Sequence, residues 1–593
     1  MKTFKWIAVV MSVSVLLTAC ANMPSTLEET QDNIVGKGIE EGTRENINNE
    51  KANPSSQGET TIIDIDNAFS KRDLSGAYEE SECEKITLSD GGSITDSKGV
   101  AINANTITIQ KEGTYMIDGS MKNGMIIVDV DKTEKVQLVL NGVDIRSDTS
   151  APIYVKNADK VFVTLADKTT NTLTNGGSFE AIDDNNIDAV IFSKDDLTLN
   201  GTGSLTISSP SGHGIVSKND LVITSGTYEI MAASHGFSGK DSVAIADGSF
   251  MITAEKDAIH SSNDEDDTVG WVYIENGSFD FVSDSDGISA VNEINIAGGN
   301  FKITKCEEGL EARLINISGG TIDITASDDG LNATDKRTST QTARSENAGG
   351  FRGMGDTQED ANINITGGTV KMNAEGDGID SNGYLTVSGG EVFVMGSSGG
   401  GDAALDYGIS ATISGGTVVA AGQSGMAVNF CDGSTQGSIL VNIQAAQRSG
   451  TDVVLLDSDG KELIAQTIEK GYNSVVVSCP EIIDGGTYTL KMGAEELQIT
   501  MDGLIYGEGH GMGGFGGGHG GMKGGDDGMP HRGGRQNGEM PDGEMPIDGK
   551  MPHRGEKPNG EKPNGELPPD IKEMPNGELP ADTEKLNNER RAE

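Results

Sequence analysis

The middle of the chain is written in one recurring unit. Ile315 to Asp335, INISGGTIDITASDDGLNATD, holds a short apolar alternation, a Gly-Gly turn, a second alternation, an acidic knot and a final apolar pair. Set in register on the second turn residue, copies fall at Gly226, Gly248, Gly277, Gly299, Gly320, Gly368, Gly390 and Gly416, with steps of 22, 29, 22, 21, 48, 22 and 26. The step of 29 contains an acidic insertion, Ser262 to Thr268, and the step of 48 a Gly/Arg/Thr-rich loop, Lys336 to Ala361. A fixed period of this kind decides an architecture, because each unit is too small to bury its own apolar face and must stack on its neighbours.

The period inside the unit is two. Ile294/Ile296, Ile315/Ile317 and Ile363/Ile365 precede the turn, Phe301/Ile303, Ile322/Ile324 and Val370/Met372 follow it, and Leu310, Leu331 and Ile379 close each copy. Alternation with β-branched residues excludes helices. Three strand segments per roughly 22 residues, each turning apolar side chains inward, predict an all-β parallel β-helix over 71–436. Stacked coils make ladders of equivalent side chains, so Tyr228, Phe250, Phe279 and Phe301 are expected as a buried aromatic column rather than a sugar platform. Residues 437–503 lose the repeat and read as a small antiparallel β module capping the open end. Residues 504–593 read as a disordered Gly/Pro/Glu-rich tail whose His510, His519, His531 and His553 are too sparse for a metal site.

Residues 1–19 carry Lys2 and Lys5, then an apolar run to Leu17, and Leu17-Thr18-Ala19-Cys20 follows. This is the pattern of a bacterial lipoprotein signal cleaved before Cys20, whose thiol takes the lipid. The expectation is a protein anchored on the extracellular face of the cell membrane, with 20–70 as a polar, flexible tether. Cys83, Cys306, Cys431 and Cys479 are expected as thiols without a disulfide framework.

Asp and Glu number 92 against 44 Lys and Arg, for a formal net charge of -48. That excludes nucleic acid and bare anionic membrane as partners and favours divalent cations or polyanions bridged through them. Nine residues after each turn glycine stand His235, Asp257, Asp286, Glu308, Asp329 and Asp377. Twelve after it stand Ser238, His260, Ser289, Glu311, Asn332 and Asp380, and Asp284 and Asp328 lie beside these columns. Rungs roughly 4.8 Å apart place like charges face to face, which destabilises a sheet. A Ca²⁺ ion about 2.4 Å from each oxygen fits between two such rungs, and an all-oxygen donor set selects it over zinc. The metal candidates are Asp257, Asp284, Asp286, Glu308, Glu311, Asp328, Asp329, Asn332, Asp377 and Asp380. The competing reading is that the Asp-Gly pairs are turn formers in corners that tolerate a left-handed backbone.

A second column is basic: Lys194, Lys218 and Lys240, with Arg313 at the offset of Lys240. It is either an external salt-bridged ladder or a strip facing the carboxylates of an acidic polysaccharide. In the second case a Lys or Arg beside Ca²⁺ could serve as the base of a β-elimination. Ser/His/Asp, P-loop and dinucleotide-binding patterns are missing from the sequence.

The phrases Lys71-Arg72-Asp73-Leu74-Ser75-Gly76, Val136 to Gly142, Tyr154 to Asp159, Asn200 to Leu205 and Ser217 to Leu221 resemble, in order, the bacterial secreted calcium-containing carbohydrate-binding domain family. That family is typified by a β-helical surface protein that binds cellulose and polygalacturonate. The resemblance, over about 70–436, implies a right-handed β-helix related to pectate lyases, Ca²⁺ between coils, and non-catalytic binding of acidic plant-wall polysaccharide and cellulose. The sequence departs from it at Gly212-His213-Gly214 and Ser234-His235-Gly236, where the family more often carries acids. The alternatives are a pectate lyase on the same fold and an adhesive solenoid without a sugar ligand.

Overall fold

A computed structural model describes residues 68–265, 267–337 and 357–507. The lipoprotein signal with Cys20, nearly all of the tether, the centre of the 336–361 loop and almost the whole tail lie outside them. The described chain is a β-solenoid of about 12 turns. One wall is a thirteen-stranded sheet, of which only the first pair is antiparallel. The other two walls merge into one larger sheet, because strands such as Lys135–Ser147, Tyr384–Met395 and Ser410–Gly422 run unbroken around a corner.

The register read from the glycines is the register of the coils. Ile294 pairs with Ile315 and Ile315 with Ile363, while Phe250 pairs with Phe279 and Phe279 with Phe301. All these side chains are buried. The aromatic column stacks near-parallel, with centroid separations of 5.4 Å for Tyr228–Phe250, 4.9 Å for Phe250–Phe279 and 4.3 Å for Phe279–Phe301. It is core, inaccessible to a sugar.

Two kinds of glycine shape the corners. Gly320 and Gly368 have φ of +86° and +81°, and a Cβ on Gly368 would lie 2.8 Å from the Gly320 carbonyl oxygen. Both the left-handed backbone and the contact demand glycine. The glycines of the Asp-Gly and Glu-Gly pairs are different. Gly287, Gly309 and Gly330 do not have a left-handed φ, but a Cβ there would lie 2.6, 2.3 and 2.4 Å from the next coil's carbonyl oxygen. They are glycines because coils approach closely, so turn preference does not account for the acid before them.

The C-terminal end of the solenoid is covered. Ser438–Gln447 and Tyr472–Ser478 pair antiparallel, and Tyr472–Ser478 also pairs with the last coil strand, Ser410–Gly422. A four-stranded antiparallel sheet packs behind them, sharing a core with Met395, Val419 and Ala421 of the final coils. This covers a sheet edge that would otherwise be open to pairing. Ahead of the first strand Asp73 is buried, taking bonds from Lys160 (2.7 Å) and Thr198 (2.6 Å), while its carbonyl accepts from Thr224 (2.8 Å). Burial alone would raise the Asp73 carboxyl, but the Lys160 ammonium and hydroxyl donors hold it below its ordinary value. Thus Lys71 to Gly76, one of the most distinctive phrases, contributes a clamp across several coils. The four cysteines of the described chain are free thiols, Cys306 and Cys479 buried and Cys83 and Cys431 half-buried.

Phe279→Ala should cost about 3–5 kcal/mol in denaturant unfolding, whereas Lys302→Ala, exposed on a neighbouring strand, should stay within about 0.5 kcal/mol. Comparable losses for the two would show that the column is not core.

Candidate ion-binding face

The acidic columns converge on the outside of the thirteen-stranded sheet. Its strands are three residues long here, as in Ile259–Ser261, Ile288–Ala290, Leu310–Ala312 and Leu331–Ala333. With period two, the outer residues point inward and the middle one outward. Register therefore aligns Ser238, His260, Ser289, Glu311, Asn332, Asp380 and Asp406 in one external column. The residue two before each strand forms a parallel column at the corner.

Three triplets result, each built from one corner residue and both columns of the next coil: His235 with Asp257 and His260, Asp286 with Glu308 and Glu311, and Asp329 with Asp377 and Asp380. Within each, the ligand atoms all lie within 4.8 Å of one another. The corner side chains also cap the next coil. Asp257 Oδ1 accepts the Asp286 N–H at 3.1 Å, Asp329 Oδ1 accepts the Asp377 N–H at 2.7 Å, and Asp377 Oδ1 accepts the Ala403 N–H. His213 Nδ1 and His235 Nδ1 do the same for the following N–H groups, at 3.3 and 3.2 Å. An imidazole nitrogen replaces a carboxylate oxygen in this backbone ladder, which explains how the two histidines are accommodated.

The electrostatics of the triplets differ. Burial, then the neighbouring carboxylates, pushes Asp286 up to about 8 and Glu308 up to about 9. The same causes push Asp377 up to about 8 and Asp380 up to about 7, and Asp329, also chiefly through burial, to about 7. Asp257 is the exception: burial opposes its charge, but the imidazoles of His235 and His260 hold it well below the carboxylate range. Burial, joined by His235, pushes His213 down to about 3, and burial lowers His235 despite Asp257.

The middle triplet already holds a cation. Lys336, the first residue of the long insertion, pairs with Glu311 and donates to Ser289 Oγ at 3.1 Å. Burial works against its charge, but Glu311 and then Asp286 outweigh it and raise its pKa. Even so, Glu308 Oε2 and Asn332 Oδ1 are buried acceptors without a donor, although Asn332 Nδ2 donates to Glu308 Oε1 at 2.9 Å. Buried oxygens left this way are what a hard cation satisfies. The third triplet has oxygen donors only and no lysine paired with it among the described residues, and Asp406 adds a further carboxylate in register with Asp380. These residues fit Ca²⁺.

Of the sequence candidates, Asp257, Asp286, Glu308, Glu311, Asp329, Asp377 and Asp380 come together in the triplets, with Asn332 beside them. Asp284 and Asp328 do not: both are exposed at the corners, and Asp284 pairs with Lys305. Lys194, Lys218 and Lys240 follow strands of the same sheet, upstream of the acids. The Lys218 Nζ lies 5.2 Å from the Phe192 ring centroid, and Lys240 pairs with Glu265 at 3.1 Å. Arg313 leaves this strip. It is buried, its Nε donating to Asn292 Oδ1 at 3.4 Å and Nη1 lying 4.0 Å from Asp360. Its offset from the turn glycine matches Lys240, but across the ladder Leu314 aligns with Ser242, so Arg313 stands at the place of Asp241. Lys336 was hidden in the insertion, and Asp406 was displaced from the register by the Gly-rich segment before it.

Comparison with known proteins places the chain in a family. The model of carbohydrate-binding domain-containing proteins matches residues 103–350. A carbohydrate-binding domain-containing protein of Acetivibrio thermocellus is 38% identical over 217 residues, which is 35% of this chain and 76% of that protein. The chain belongs to the carbohydrate-binding domain family. A gadolinium derivative of a polysaccharide lyase-like protein from C. thermocellum is also similar, at 32% identity, covering 43% of this chain and 98% of that one with a TM-score of 0.37.

A pH dependence follows for the metal-free protein. Carboxylates raised in the folded state bind protons that the unfolded chain has released, so their contribution is full below about pH 4 and is lost as pH rises through about 7–9. The lowered imidazoles act oppositely, costing stability below about pH 6.5. Five raised carboxylates outnumber two lowered imidazoles, so in EGTA the melting temperature should be highest near about pH 4–5 and fall steadily toward pH 9. A melt that is flat from neutral to alkaline pH would contradict the burial of these acids.

Proposed function

We propose that this protein is a non-catalytic, Ca²⁺-dependent binder of acidic, uronate-containing polysaccharide, with cellulose as a further ligand. Anchoring through Cys20 would hold it on the extracellular face of the cell membrane. The observation that carries the reading is the pair of half-buried carboxylate triplets on an external sheet face, in a chain of the carbohydrate-binding domain family. Asp329, Asp377 and Asp380, with Asp406 adjacent, would hold the ion. It would neutralise carboxylates crowded by the ladder and present remaining coordination positions to sugar carboxylates. Upstream, Lys194, Lys218 and Lys240 offer a cationic continuation of the same face for a long anionic chain.

Lys336 supports binding over elimination. A lyase base must be free to take a proton, whereas this ammonium is raised above its ordinary value by Glu311. It acts here as a tethered cation that shares the middle triplet's charge.

Pull-down on polygalacturonate and on cellulose, with Ca²⁺ or EGTA, tests the reading. Binding to polygalacturonate should be lost in EGTA and weakened at least tenfold by Asp377→Asn, about the cost of one charged ligand. Near-ultraviolet absorbance of unsaturated uronate should not rise during incubation. A rise would replace this reading with a lyase, and EGTA-insensitive binding would remove Ca²⁺ from it. Lys336→Gln should increase the Ca²⁺-dependent thermal shift by freeing the Asp286, Glu308 and Glu311 oxygens; an unchanged shift would mean the lysine does not compete.

A further inference from the structure

We propose that His235, Asp257 and His260 form a site for a borderline divalent transition ion, with Zn²⁺ as the reference, separate from the all-oxygen triplets. The backbone ladder accounts for His213 and His235, whose Nδ1 atoms each cap the following N–H. It does not account for His260, which stands in the external column between Ser238 and Ser289. His260 Nδ1 approaches Asp257 Oδ2 to 2.8 Å, and His235 Nδ1, from the preceding coil, approaches the same oxygen to 3.2 Å. The His260 nitrogen is fully buried, and the Asp257 carboxylate is the one polar group it approaches among the described residues. The two imidazole nitrogens and the carboxylate oxygen all lie within 4.8 Å of one another.

The scaffold around them is rigid. The rings of His235 and His260 stack at 4.1 Å with their planes 6° apart, and His213 continues the row 5.1 Å from His235. Asp257 is buried, with Oδ1 committed to the Asp286 N–H, which leaves Oδ2 as the ligand oxygen. Two imidazole nitrogens and one carboxylate oxygen suit Zn²⁺, Co²⁺, Ni²⁺ or Cu²⁺, whereas Ca²⁺ prefers oxygen alone. An ion would replace the long 3.2 Å amide contact of His235 Nδ1 and give the His260 lone pair a partner. Three protein ligands would leave a fourth position for water or a sugar oxygen. Two coils would thereby be stapled by a second ion chemistry, upstream of the carboxylates and beside Lys240.

The test uses the full chain, stripped with EDTA and then held in excess Ca²⁺ so that the oxygen sites are satisfied. The chain also carries His510, His519, His531 and His553, so the readout is the melting of the solenoid, with Co²⁺ visible absorption as a second signal. Zn²⁺ at roughly a hundredfold excess over its Kd should raise the melting temperature by a few degrees. His260→Gln, an outward residue flanked by serines in its column, and Asp257→Asn should each lose most of that rise and of the Co²⁺ bands. Asp377→Asn should keep the Zn²⁺ response whatever it does to Ca²⁺, so failure of the calcium reading leaves this one standing. A wild-type melt that Zn²⁺ does not raise, or an equal rise in His260→Gln, overturns the proposal.

Discussion

Every feature of this protein follows from parallel pairing between successive coils. A parallel ladder brings each residue against its equivalent one coil away, about 4.8 Å distant, and a one-residue slip would turn every side chain to the wrong face. For apolar residues that constraint is favourable: isoleucine meets isoleucine, and Phe250, Phe279 and Phe301 stack with planes within 7–9° of one another. For backbone it is demanding. Corner glycines are needed because a neighbouring carbonyl lies where a Cβ would be, even at Gly287, Gly309 and Gly330, whose own torsions would accept a side chain.

For charge the same constraint is a cost, since a repeated acid is held against its copy in a partly buried corner. The chain meets this cost differently along one face. At the upstream end imidazoles replace carboxylates, accepting the same backbone bond without adding negative charge. In the middle, Lys336 reaches in from the insertion and pairs with Glu311. Further on, Asp329, Asp377, Asp380 and Asp406 remain together, raised well above the carboxylate range by burial and each other in the first three cases. The face thus grades from nitrogen to ammonium to oxygen, and its capacity for ions changes chemistry along the axis.

The repeat made most of the fold legible. Alternation named the core residues, and the glycine register named the inter-coil pairs, because a period of about 22 residues with three apolar segments has few stacked solutions. The site was legible where it obeyed the same register: Asp286, Glu308, Glu311, Asp329, Asp377 and Asp380 were found as columns. It was lost where the chain left the register. Lys336 and Asp406 follow insertions, and no spacing rule predicts where an insertion folds back. Asp284 and Asp328 sit next to the columns in sequence, but adjacent residues on a strand or corner point to different sides.

The sequence by itself determined the solenoid, its buried ladders and the acidity of one corner, since these depend only on local alternation and on a repeat meeting itself. Only the tertiary structure decided which acids share a triplet, that Arg313 turns inward while Lys240 stays on the surface, and that His260 joins His235 across coils around Asp257. Those outcomes rest on contacts between coils and on the direction each side chain takes from a corner, and distances along the chain do not encode either.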